Sequence, residues 1–230
     1  MNYVINPPAQ ASVPVVGSAD RFPVRRIYCV GRNYVEHAKE MGFTGREAPF
    51  FFMKPADAVV PAAGTVPFPP MTGKLHHEVE LIVAIGRGGA NIEAASALGH
   101  VWGYAAGVDL TRRDLQDVAK KAARPWEWAK AFDASGPSTP LVPKARVKSV
   151  SDGRIWLSVN GELRQQGDLN ELIWPVPDII AHVSQSVALA PGDIIFTGTP
   201  AGVGKLDRGD RLTGGVEGVA EFDFTIDSAG

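Results

Sequence analysis

The chain has a single cysteine among its 230 residues, and no apolar run reaches the length of a helix that spans a bilayer. One cysteine excludes an internal disulfide and suits a reducing cytosol. Because Cys29 lies in a strand-like run, residues 26–31, we expect a buried small apolar side chain and not a nucleophile. Basic residues are not in excess either, since 23 Lys and Arg face 25 Asp and Glu. Nucleic acid and membranes are therefore not expected as partners.

The first residues have neither the charged segment nor the apolar stretch of a signal peptide, which predicts a cytoplasmic protein. Residues 1–24 are rich in Pro, Val and Ala, so we expect an extended N-terminal segment with little regular structure. No linker or internal repeat divides the remainder, and the chain is long enough for a sizeable core. We expect residues 25–230 to form a single domain.

Glycine and proline, with 25 and 18 residues, are too frequent and too scattered for a helical bundle. They separate short β-branched runs, a pattern typical of many strands joined by tight turns. The runs predict strands at residues 27–30, 50–53, 59–60, 65–66, 79–85, 101–110, 193–197 and 219–226, and a hairpin over 155–165 that turns at Asn160-Gly161. Helical spacing predicts helices at residues 34–41 with Asn33 as N-cap, 94–100 as a short helix or turn, 111–122 and 176–189.

Two glutamates, Glu78 and Glu80, stand at the head of the strongest predicted strand. Side chains alternate along a strand, so both point to the same side, where like charges repel. A hard divalent cation would offset this repulsion, and the alternative is a solvated face of an edge strand. Asp109 is either a third carboxylate of such a site or the N-cap of the helix that follows. Three carboxylates would suit Mg²⁺ or Mn²⁺, because the Cys and His spacing of a zinc site is absent.

Two pairs of polar residues have the i, i+3 spacing that makes them neighbours on a helix. In the first pair, Glu40 would orient His37 as a general base for water, although a surface pair without function has the same spacing. In the second pair, Arg113 offers a bidentate fork to a carboxylate and Gln116 offers an amide to a carbonyl. A solvated helix face of mixed charge is the alternative for that pair.

Two lysines, Lys54 and Lys130, follow or lie among large apolar residues. Such lysines either extend their ammonium groups to solvent or hold them at a site, where they would stabilise a developing oxyanion or enolate. The Gly-rich segment 197–204 offers backbone N–H groups to an anion but lacks the Gly-Lys-Ser/Thr ending of a nucleotide-binding loop. Within that segment, Thr199 is a candidate contact for a substrate carboxylate.

Taken in order, these segments resemble the fumarylacetoacetate hydrolase family from about residue 25 to the C-terminus. No single motif decides this resemblance, but the ordered set is specific. The matching motifs are Gly31-Arg32-Asn33-Tyr34 with His37 and Glu40, Lys54-Pro55, His77-Glu78-Val79-Glu80-Leu81, Gly107-Val108-Asp109 with Arg113 and Gln116, Pro125-Trp126 with Lys130, Val159-Asn160-Gly161, and Pro191-Gly192-Asp193 with residues 197–204.

The resemblance implies an α+β, β-rich fold, a mixed β-sandwich roll with a few short helices, in a homodimer whose residues 25–230 form the catalytic domain. It also implies a divalent metal, Mg²⁺ or Mn²⁺ with Ca²⁺ as the alternative. The implied metal ligands are Glu78, Glu80 and Asp109. The implied catalytic residues are His37 and Glu40, on a mobile lid with a hinge at residues 42–45, and Lys130. The implied substrate contacts are Lys54, Arg113, Gln116 and Thr199.

Members of this family act on 2,4-dioxo acids, so the resemblance implies hydrolysis of the C–C bond of an acylpyruvate. Residues 21–31 and 50–57 are similar to bacterial fumarylpyruvate hydrolases of gentisate breakdown, which cleave 3-fumarylpyruvate to fumarate and pyruvate. The second carboxylate of that substrate would need a cation, for which Arg32, Arg46 and Arg124 are candidates. The alternatives are an acylpyruvase, an oxaloacetate decarboxylase or a 2-hydroxy-dienoate isomerase of the same family, and, from another class, a non-catalytic metal-dependent dicarboxylate-binding protein.

Overall fold

The structure is a computed structural model that describes residues 2–40 and 47–228, with the side chains of residues 38–40 outside the description. Its strands are β1 Ser12–Pro14, β2 Arg21–Pro23, β3 Arg26–Gly31, β4 Phe50–Lys54, β5 Val59–Pro61, β6 Ala63–Val66, β7 Leu75–His77, β8 Val79–Ile85, β9 Val101–Val108, β10 Thr111–Arg112, β11 Gly136–Ser138, β12 Val142–Pro143, β13 Arg154–Val159, β14 Glu162–Asp168, β15 Asp193–Phe196, β16 Gly204–Leu206, β17 Arg211–Val216 and β18 Ala220–Ile226.

The helices are short and few beside these strands. They are α1 Val35–Glu40, α2 Ala94–Ala97, α3 Arg113–Lys121, α4 Glu127–Lys130 and α5 Val176–Ser186, with 3₁₀ turns at Ala56–Ala58, Leu98–His100, Lys144–Arg146 and Leu169–Glu171. Many short strands with a few short helices confirm the β-rich α+β class that the glycine and proline pattern predicts.

Two large sheets make up the body of the fold. The first has eight strands in the order β4, β3, β15, β8, β9, β11 and β5, with β12 paired beside β9. The second has five strands in the order β14, β13, β17, β18 and β6. Strand β8 lies inside the first sheet, between antiparallel β15 and β9. Glu80 is therefore not on a solvated edge strand, and that alternative is wrong.

Strand β8 is packed on both faces. Leu81 and Val83 belong to the main apolar cluster, which includes residues of the five-stranded sheet. Ile82 and Ala84 belong to a second cluster on the opposite face, as the alternation of strand side chains requires. The carboxylates at the head of β8 thus stand on a strand that the core holds from two sides.

The N-terminal segment has more structure than its composition suggests. Strands β1 and β2 pair antiparallel, with Val13 opposite Phe22. Both side chains and that of Val24 are buried in the second apolar cluster, and the Phe22 ring lies 5.2 Å from that of Trp102. The segment thus carries one short pair of strands, and its apolar residues form a face that the first large sheet covers.

The predicted turn at Asn160-Gly161 is confirmed. Strands β13 and β14 pair antiparallel on either side of it, and the two residues have φ values of 53° and 82°. Two successive positive φ values are the backbone geometry that favours Asn-Gly in a two-residue hairpin turn.

The helix predicted at residues 111–122 begins two residues later than expected. Thr111 and Arg112 pair with β7 as strand β10, and Arg112 occupies the N-cap position of α3. Asp109 therefore does not cap this helix, which removes the alternative to a site role for its carboxylate.

Asn33 does not cap α1, contrary to the sequence-based prediction. Its Oδ1 accepts a hydrogen bond from the Trp174 N–H at 2.8 Å, and its Nδ2 donates to the carbonyl oxygens of Trp174 at 2.9 Å and Thr197 at 2.8 Å. This buried amide ties the chain before α1 to the chain after β15. It thereby fixes, relative to each other, the segments that carry His37 and Thr199.

Candidate active site and metal centre

Antiparallel pairing of β8 and β9 brings the three carboxylates together. Val79 faces Val108 across the pair, and the Asp109 N–H donates to the Glu78 carbonyl oxygen at 2.8 Å. Glu78 lies at the break between β7 and β8, and Glu80 is the second residue of β8. One carboxylate oxygen from each of Glu78, Glu80 and Asp109 lies within 4.8 Å of the others, and all three side chains are buried.

Three cationic side chains surround this cluster. Lys130 Nζ lies 2.8 Å from Glu78 Oε2 and 2.7 Å from Asp109 Oδ2. Lys54 Nζ pairs with Asp109 Oδ1 at 2.8 Å, and the Arg113 guanidinium pairs with Glu78 Oε1. Glu78 and Asp109 are therefore each held by two cations in the folded chain.

Glu80 has different surroundings. Its Oε2 accepts the Gly198 N–H at 2.7 Å, and within residues 2–40 and 47–228 no Lys or Arg forms an ion pair with it. Burial, then the neighbouring Asp109 and Glu78 charges, raise the pKa of Glu80 well above its ordinary value. Burial also opposes ionisation of Glu78, but Lys130 and Arg113 outweigh it and hold the pKa of Glu78 below its ordinary value.

The donor set fits a hard divalent cation. Carboxylate oxygens are the ligands that Mg²⁺ and Mn²⁺ prefer, and these three converge within the reach of one ion. The buried Glu80 carboxylate also has the greatest need of an added positive charge, because it has no ion-pair partner in the described part of the chain. The predicted ligands Glu78, Glu80 and Asp109 are thus brought together as a site that can bind a divalent metal.

A narrow pocket opens onto the carboxylates. Its walls include His37, Arg113, Gln116, Lys130 and Thr199, all predicted from the sequence. The pocket is also lined by residues that sequence reasoning did not assign to the site, namely Val30, Gly31, Phe52 and Trp126. The sequence places Phe52 in a predicted strand and Trp126 in a matched motif. Neither observation indicates the direction in which the aromatic ring points.

His37 is buried in the pocket wall in the first turn of α1, 6% exposed. The helix places Glu40 one turn further on, as the i, i+3 spacing predicts. The Glu40 side chain and the hinge expected at residues 42–45 lie outside the described residues, so the orienting carboxylate and the lid stay predictions.

Arg113 and Gln116 lie on one face of α3, and both are buried, so the solvated-face alternative is wrong. Arg113 Nη1 donates to Gln116 Oε1 at 2.5 Å. Because the amide oxygen accepts from Arg113, Gln116 presents its NH₂ group to another acceptor, which suits the predicted contact with a carbonyl.

Lys54 occupies a different place from the substrate contact that the resemblance implies. Its side chain is 1% exposed and lies behind Asp109, outside the pocket lining. Besides pairing with Asp109, Nζ donates to the carbonyl oxygens of Leu110 at 3.3 Å and of Lys130. The ammonium group thus lies against one carboxylate and two backbone carbonyl oxygens, so Lys54 supports the backbone and carboxylate of the site.

Lys130 keeps its proton at neutral pH in this setting. Burial opposes the charge, but Asp109 and Glu78 outweigh it and raise the pKa of Lys130. Its Nζ also lies 5.0 Å from the centre of the Phe52 ring. Lys130 is therefore suited to donate a hydrogen bond or to stabilise negative charge, and not to act as a base.

The fold and this centre define a metal-dependent enzyme site built on the central strand of a mixed sheet. The chain belongs to the fumarylacetoacetate hydrolase family, because residues 26–227 match the family described as Fumarylacetoacetate (FAA) hydrolase C-terminal. Family membership and fold class, both expected from the sequence, are thus confirmed. Members of the family are enzymes, which supports a catalytic use of the pocket.

Three relatives show how far the similarity extends. The fumarylpyruvate hydrolase of Pseudomonas aeruginosa, solved in complex with Mn²⁺ and pyruvate, is 48% identical, with a TM-score of 0.96 over 99% of this chain and 100% of that one. A Burkholderia cenocepacia protein assigned provisionally as a fumarylpyruvate hydrolase is 60% identical, with a TM-score of 0.94 over 100% of this chain and 96% of that one. Oxaloacetate tautomerase FAHD1, mitochondrial, of Rattus norvegicus is 43% identical over 203 residues, which are 88% of this chain and 92% of the relative.

The predictions about cellular location and binding partners are not tested by the fold or by these relatives. No helix in the described ranges is both long and apolar enough to cross a membrane. The rat relative has "mitochondrial" in its name, so the cytoplasmic location stays a prediction. The homodimer and the absence of nucleic-acid partners stay predictions as well.

Proposed function

We propose that the protein hydrolyses the C–C bond of an acylpyruvate, and that its substrate is 3-fumarylpyruvate, which gives fumarate and pyruvate. The observation that carries the proposal is the pocket in which a histidine, a protonated lysine and several donors face one carboxylate cluster. Similarity to the Pseudomonas fumarylpyruvate hydrolase over nearly the whole chain supports it.

The pocket supplies each part of such a reaction. A metal bound by the three carboxylates would supply Lewis acidity toward the oxygens of the 2-oxo acid. Arg113, Gln116 and Thr199 donate hydrogen bonds to the carboxylate and oxo group of the pyruvoyl end and hold it in place. These donors are buried and preorganised, so they bind the anion without reorganising at the moment of reaction.

Hydrolysis then needs a base and an electron-pair acceptor. His37 takes a proton from a water molecule, whose oxygen forms a bond to the distal carbonyl carbon. The bond between that carbon and the adjacent methylene carbon breaks, and its electron pair passes to the pyruvoyl part as an enolate. The Lys130 ammonium stabilises this enolate, and protonation of the methylene carbon gives pyruvate.

Arg32 is the cation that we assign to the distal carboxylate of the substrate. It lines the pocket, with its guanidinium 4.7 Å above the Phe50 ring and Nη1 3.9 Å from Glu47. Of the other two candidates, Arg124 is exposed and outside the pocket lining, and Arg46 lies outside the described residues.

The test of the function is turnover of purified, Mn²⁺-loaded protein with 3-fumarylpyruvate in ¹⁸O-labelled water. We expect equal amounts of fumarate and pyruvate, with the label in fumarate. The His37→Ala variant should lose about 10²- to 10⁴-fold in kcat, the usual contribution of a general base. A His182→Ala variant is the matched control, because His182 lies on α5 against Trp174 and outside the pocket. Unchanged turnover in His37→Ala would refute the mechanism.

Oxaloacetate tautomerisation or decarboxylation is the second candidate function, because the rat tautomerase shares 43% identity with the chain. Neither reaction needs an attacking water molecule. A role of His37 as the base that activates water therefore favours hydrolysis, provided that the His37→Ala variant loses C–C cleavage. The same protein is therefore assayed with oxaloacetate and with maleylpyruvate and acetylpyruvate. A kcat/KM for oxaloacetate that exceeds that for fumarylpyruvate would favour the second candidate, and tight binding without product would favour a binding protein.

Replacing Arg32 by Met tests the assignment of the distal carboxylate. We expect KM for fumarylpyruvate to rise about 10- to 100-fold, the usual value of a hydrogen bond to a charged group, because the second carboxylate loses its partner. KM for acetylpyruvate, which has no second carboxylate, should change little. Arg124→Met, an exposed arginine removed in the same way, serves as control. An equal rise in KM for both substrates in Arg32→Met would contradict the assignment.

A further inference from the structure

Gln165 is a fully buried amide that the motifs did not single out as functional. It belongs to β14, in the five-stranded sheet, and its exposed fraction is 0%. The side chain reaches from this sheet to the start of β8 and to the segment that carries Thr199. Its Oε1 lies 2.8 Å from His77 Nδ1 and 3.1 Å from the Val79 backbone nitrogen, and its Nε2 lies 2.8 Å from Thr199 Oγ1 and 2.9 Å from the Pro200 carbonyl oxygen.

Two backbone partners fix which end of this amide is oxygen. The Val79 N–H can only donate, so the atom that faces it must be Oε1. The Pro200 carbonyl can only accept, so the atom that faces it must be Nε2. A flipped amide would place N–H against N–H and oxygen against oxygen, at the cost of two unmade buried hydrogen bonds.

The fixed amide determines the direction of the Thr199 hydroxyl. Gln165 Nε2 can only donate, so Thr199 Oγ1 accepts from it, and the hydroxyl hydrogen must point to a different partner. In the described part of the chain, no protein acceptor receives that hydrogen. Thr199 is 3% exposed and lines the pocket beside Glu80 and Arg113, so the hydrogen is directed into the pocket.

We infer that Gln165 is a positioning residue that makes Thr199 a hydrogen-bond donor to the anionic end of the substrate. This inference rests on the proposed function, which places an oxo-acid carboxylate in the pocket. Gln165 does not contact the pocket itself and acts only through Thr199. Through its bond to the Val79 N–H, between Glu78 and Glu80, it also links the anion-binding donor to the strand that carries the carboxylates.

Gln165→Glu reverses the direction of this hydrogen bond. When the introduced carboxyl is ionised, its second oxygen faces Thr199 and the Pro200 carbonyl oxygen and can only accept, so the hydroxyl turns its hydrogen toward residue 165 and presents a lone pair to the substrate. The titrations are repeated at rising pH, because a protonated carboxyl donates as the amide does. We expect kcat/KM for fumarylpyruvate, and the affinity for the probe oxalate in titration calorimetry of the Mn²⁺-loaded protein, to fall about 10- to 100-fold. Thr199→Val should cause a loss of the same size, since it removes the hydroxyl at nearly constant volume.

The double variant Gln165→Glu with Thr199→Val separates positioning from packing. If Gln165 acts through Thr199, the double variant binds oxalate no worse than either single variant, because the second change has no hydroxyl left to turn. Losses that multiply in the double variant would overturn the inference. So would an oxalate affinity in Gln165→Glu equal to that of the wild type at every pH tested.

Two further variants control for folding and for added charge. Gln166→Glu places the same charge on the exposed side of β14 and should bind oxalate as the wild type does. Gln165→Met replaces Gln165→Glu if the latter does not fold. In Gln165→Met the Thr199 hydroxyl is free to rotate and is not turned away from the substrate. The loss of oxalate affinity should therefore be smaller than in Thr199→Val. A loss in Gln165→Met as large as that in Thr199→Val, or larger, would indicate packing alone and overturn the inference.

The inference and the proposed function fail in different ways. If the wild type does not cleave fumarylpyruvate but the oxalate titrations show the non-additive pattern, the role of Gln165 stands and the proposed substrate is wrong. If the wild type cleaves fumarylpyruvate and the two single losses multiply, the role of Gln165 is wrong and the function stands.

Discussion

Replacing Glu80 by Gln is expected to abolish metal binding and, at the same time, to raise the melting temperature of the metal-free protein near neutral pH. Replacing Glu78 by Gln should also abolish metal binding but lower that melting temperature. Burial, with Asp109 and Glu78 as neighbours, raises the pKa of Glu80, so its ionised form is unfavourable in the folded chain. Lys130 and Arg113 outweigh burial at Glu78 and lower its pKa, so its ionised form stabilises the fold.

The dependence of these effects on pH has opposite signs. A carboxylate with a lowered folded pKa contributes stability above its unfolded pKa, near 4.5, and loses it as the pH falls through the folded value. A carboxylate with a raised folded pKa contributes stability at low pH that is lost as the pH rises through that value. The benefit of Glu80→Gln should therefore grow from pH 5 to pH 8, while the harm of Glu78→Gln persists throughout that range.

The magnitudes are large enough for thermal unfolding to resolve. Breaking a buried ion pair by removing one partner costs about 3–5 kcal/mol, and in a domain of this size about 1 kcal/mol moves Tm by about 2–4 °C, so Glu78→Gln should lower Tm by about 6–20 °C in EDTA. Both variants should lose the Tm increase that Mn²⁺ gives the wild type and at least about 10³-fold in turnover.

The measurement is thermal unfolding of both variants in EDTA and in Mn²⁺ at several pH values. Glu221→Gln, on the exposed side of β18, controls for the loss of one negative charge. If both site variants were destabilised equally without metal, or if either kept the Mn²⁺ response, the assignment of these carboxylates as ligands in two different electrostatic environments would be wrong.

Lys54→Met is expected to destabilise the protein strongly, whereas Lys130→Met should chiefly reduce catalysis. The loss of Lys54 leaves Asp109 with Lys130 as its cation and takes the ammonium donor from two buried backbone carbonyl oxygens, which together predict a cost of about 3–5 kcal/mol and a fall in Tm of about 6–20 °C. The loss of Lys130 leaves Glu78 paired with Arg113 and Asp109 paired with Lys54, and it takes no donor from a backbone carbonyl, so its effect on Tm should be smaller.

For the catalytic rate the order of the two variants should be reversed, with the larger loss in Lys130→Met. Lys130 lines the pocket and carries the charge that stabilises the enolate, so Lys130→Met should lower kcat about 10³-fold with a smaller change in KM. Lys148→Met, an exposed lysine far from the carboxylates, controls for the loss of a positive charge. The measurement is the Tm of each variant by calorimetry, together with its kcat and KM. If Lys54→Met kept the wild-type Tm and raised KM, the result would contradict this prediction and favour the role of Lys54 as a substrate contact that the resemblance implies.

The chemistry of the site and the class of the fold could be predicted from the sequence. Glu78 and Glu80 share a side because strand side chains alternate, and Arg113 and Gln116 share a helix face because they are three residues apart. Such short spacings are set by local backbone geometry and do not depend on the rest of the chain. The glycine and proline pattern, with its Asn160-Gly161 turn, likewise acts within a few residues.

The choice between alternatives was made only by the tertiary structure, because it depends on pairings between distant segments. Asp109 is a site carboxylate and not a helix cap because β8 and β9 pair in a register that sets it beside Glu78. Lys54 points away from the pocket because its partners are at Asp109 and Lys130, the latter 76 residues along the chain.

Gln165 shows the same limit most clearly. Its amide joins His77 and Thr199 from a different sheet, across separations of 88 and 34 residues. Sequence spacing determines which side chains are neighbours within one strand or helix. The register and packing of the sheets determine which of those side chains meet, and hydrogen-bond direction between them determines which one donates to a ligand.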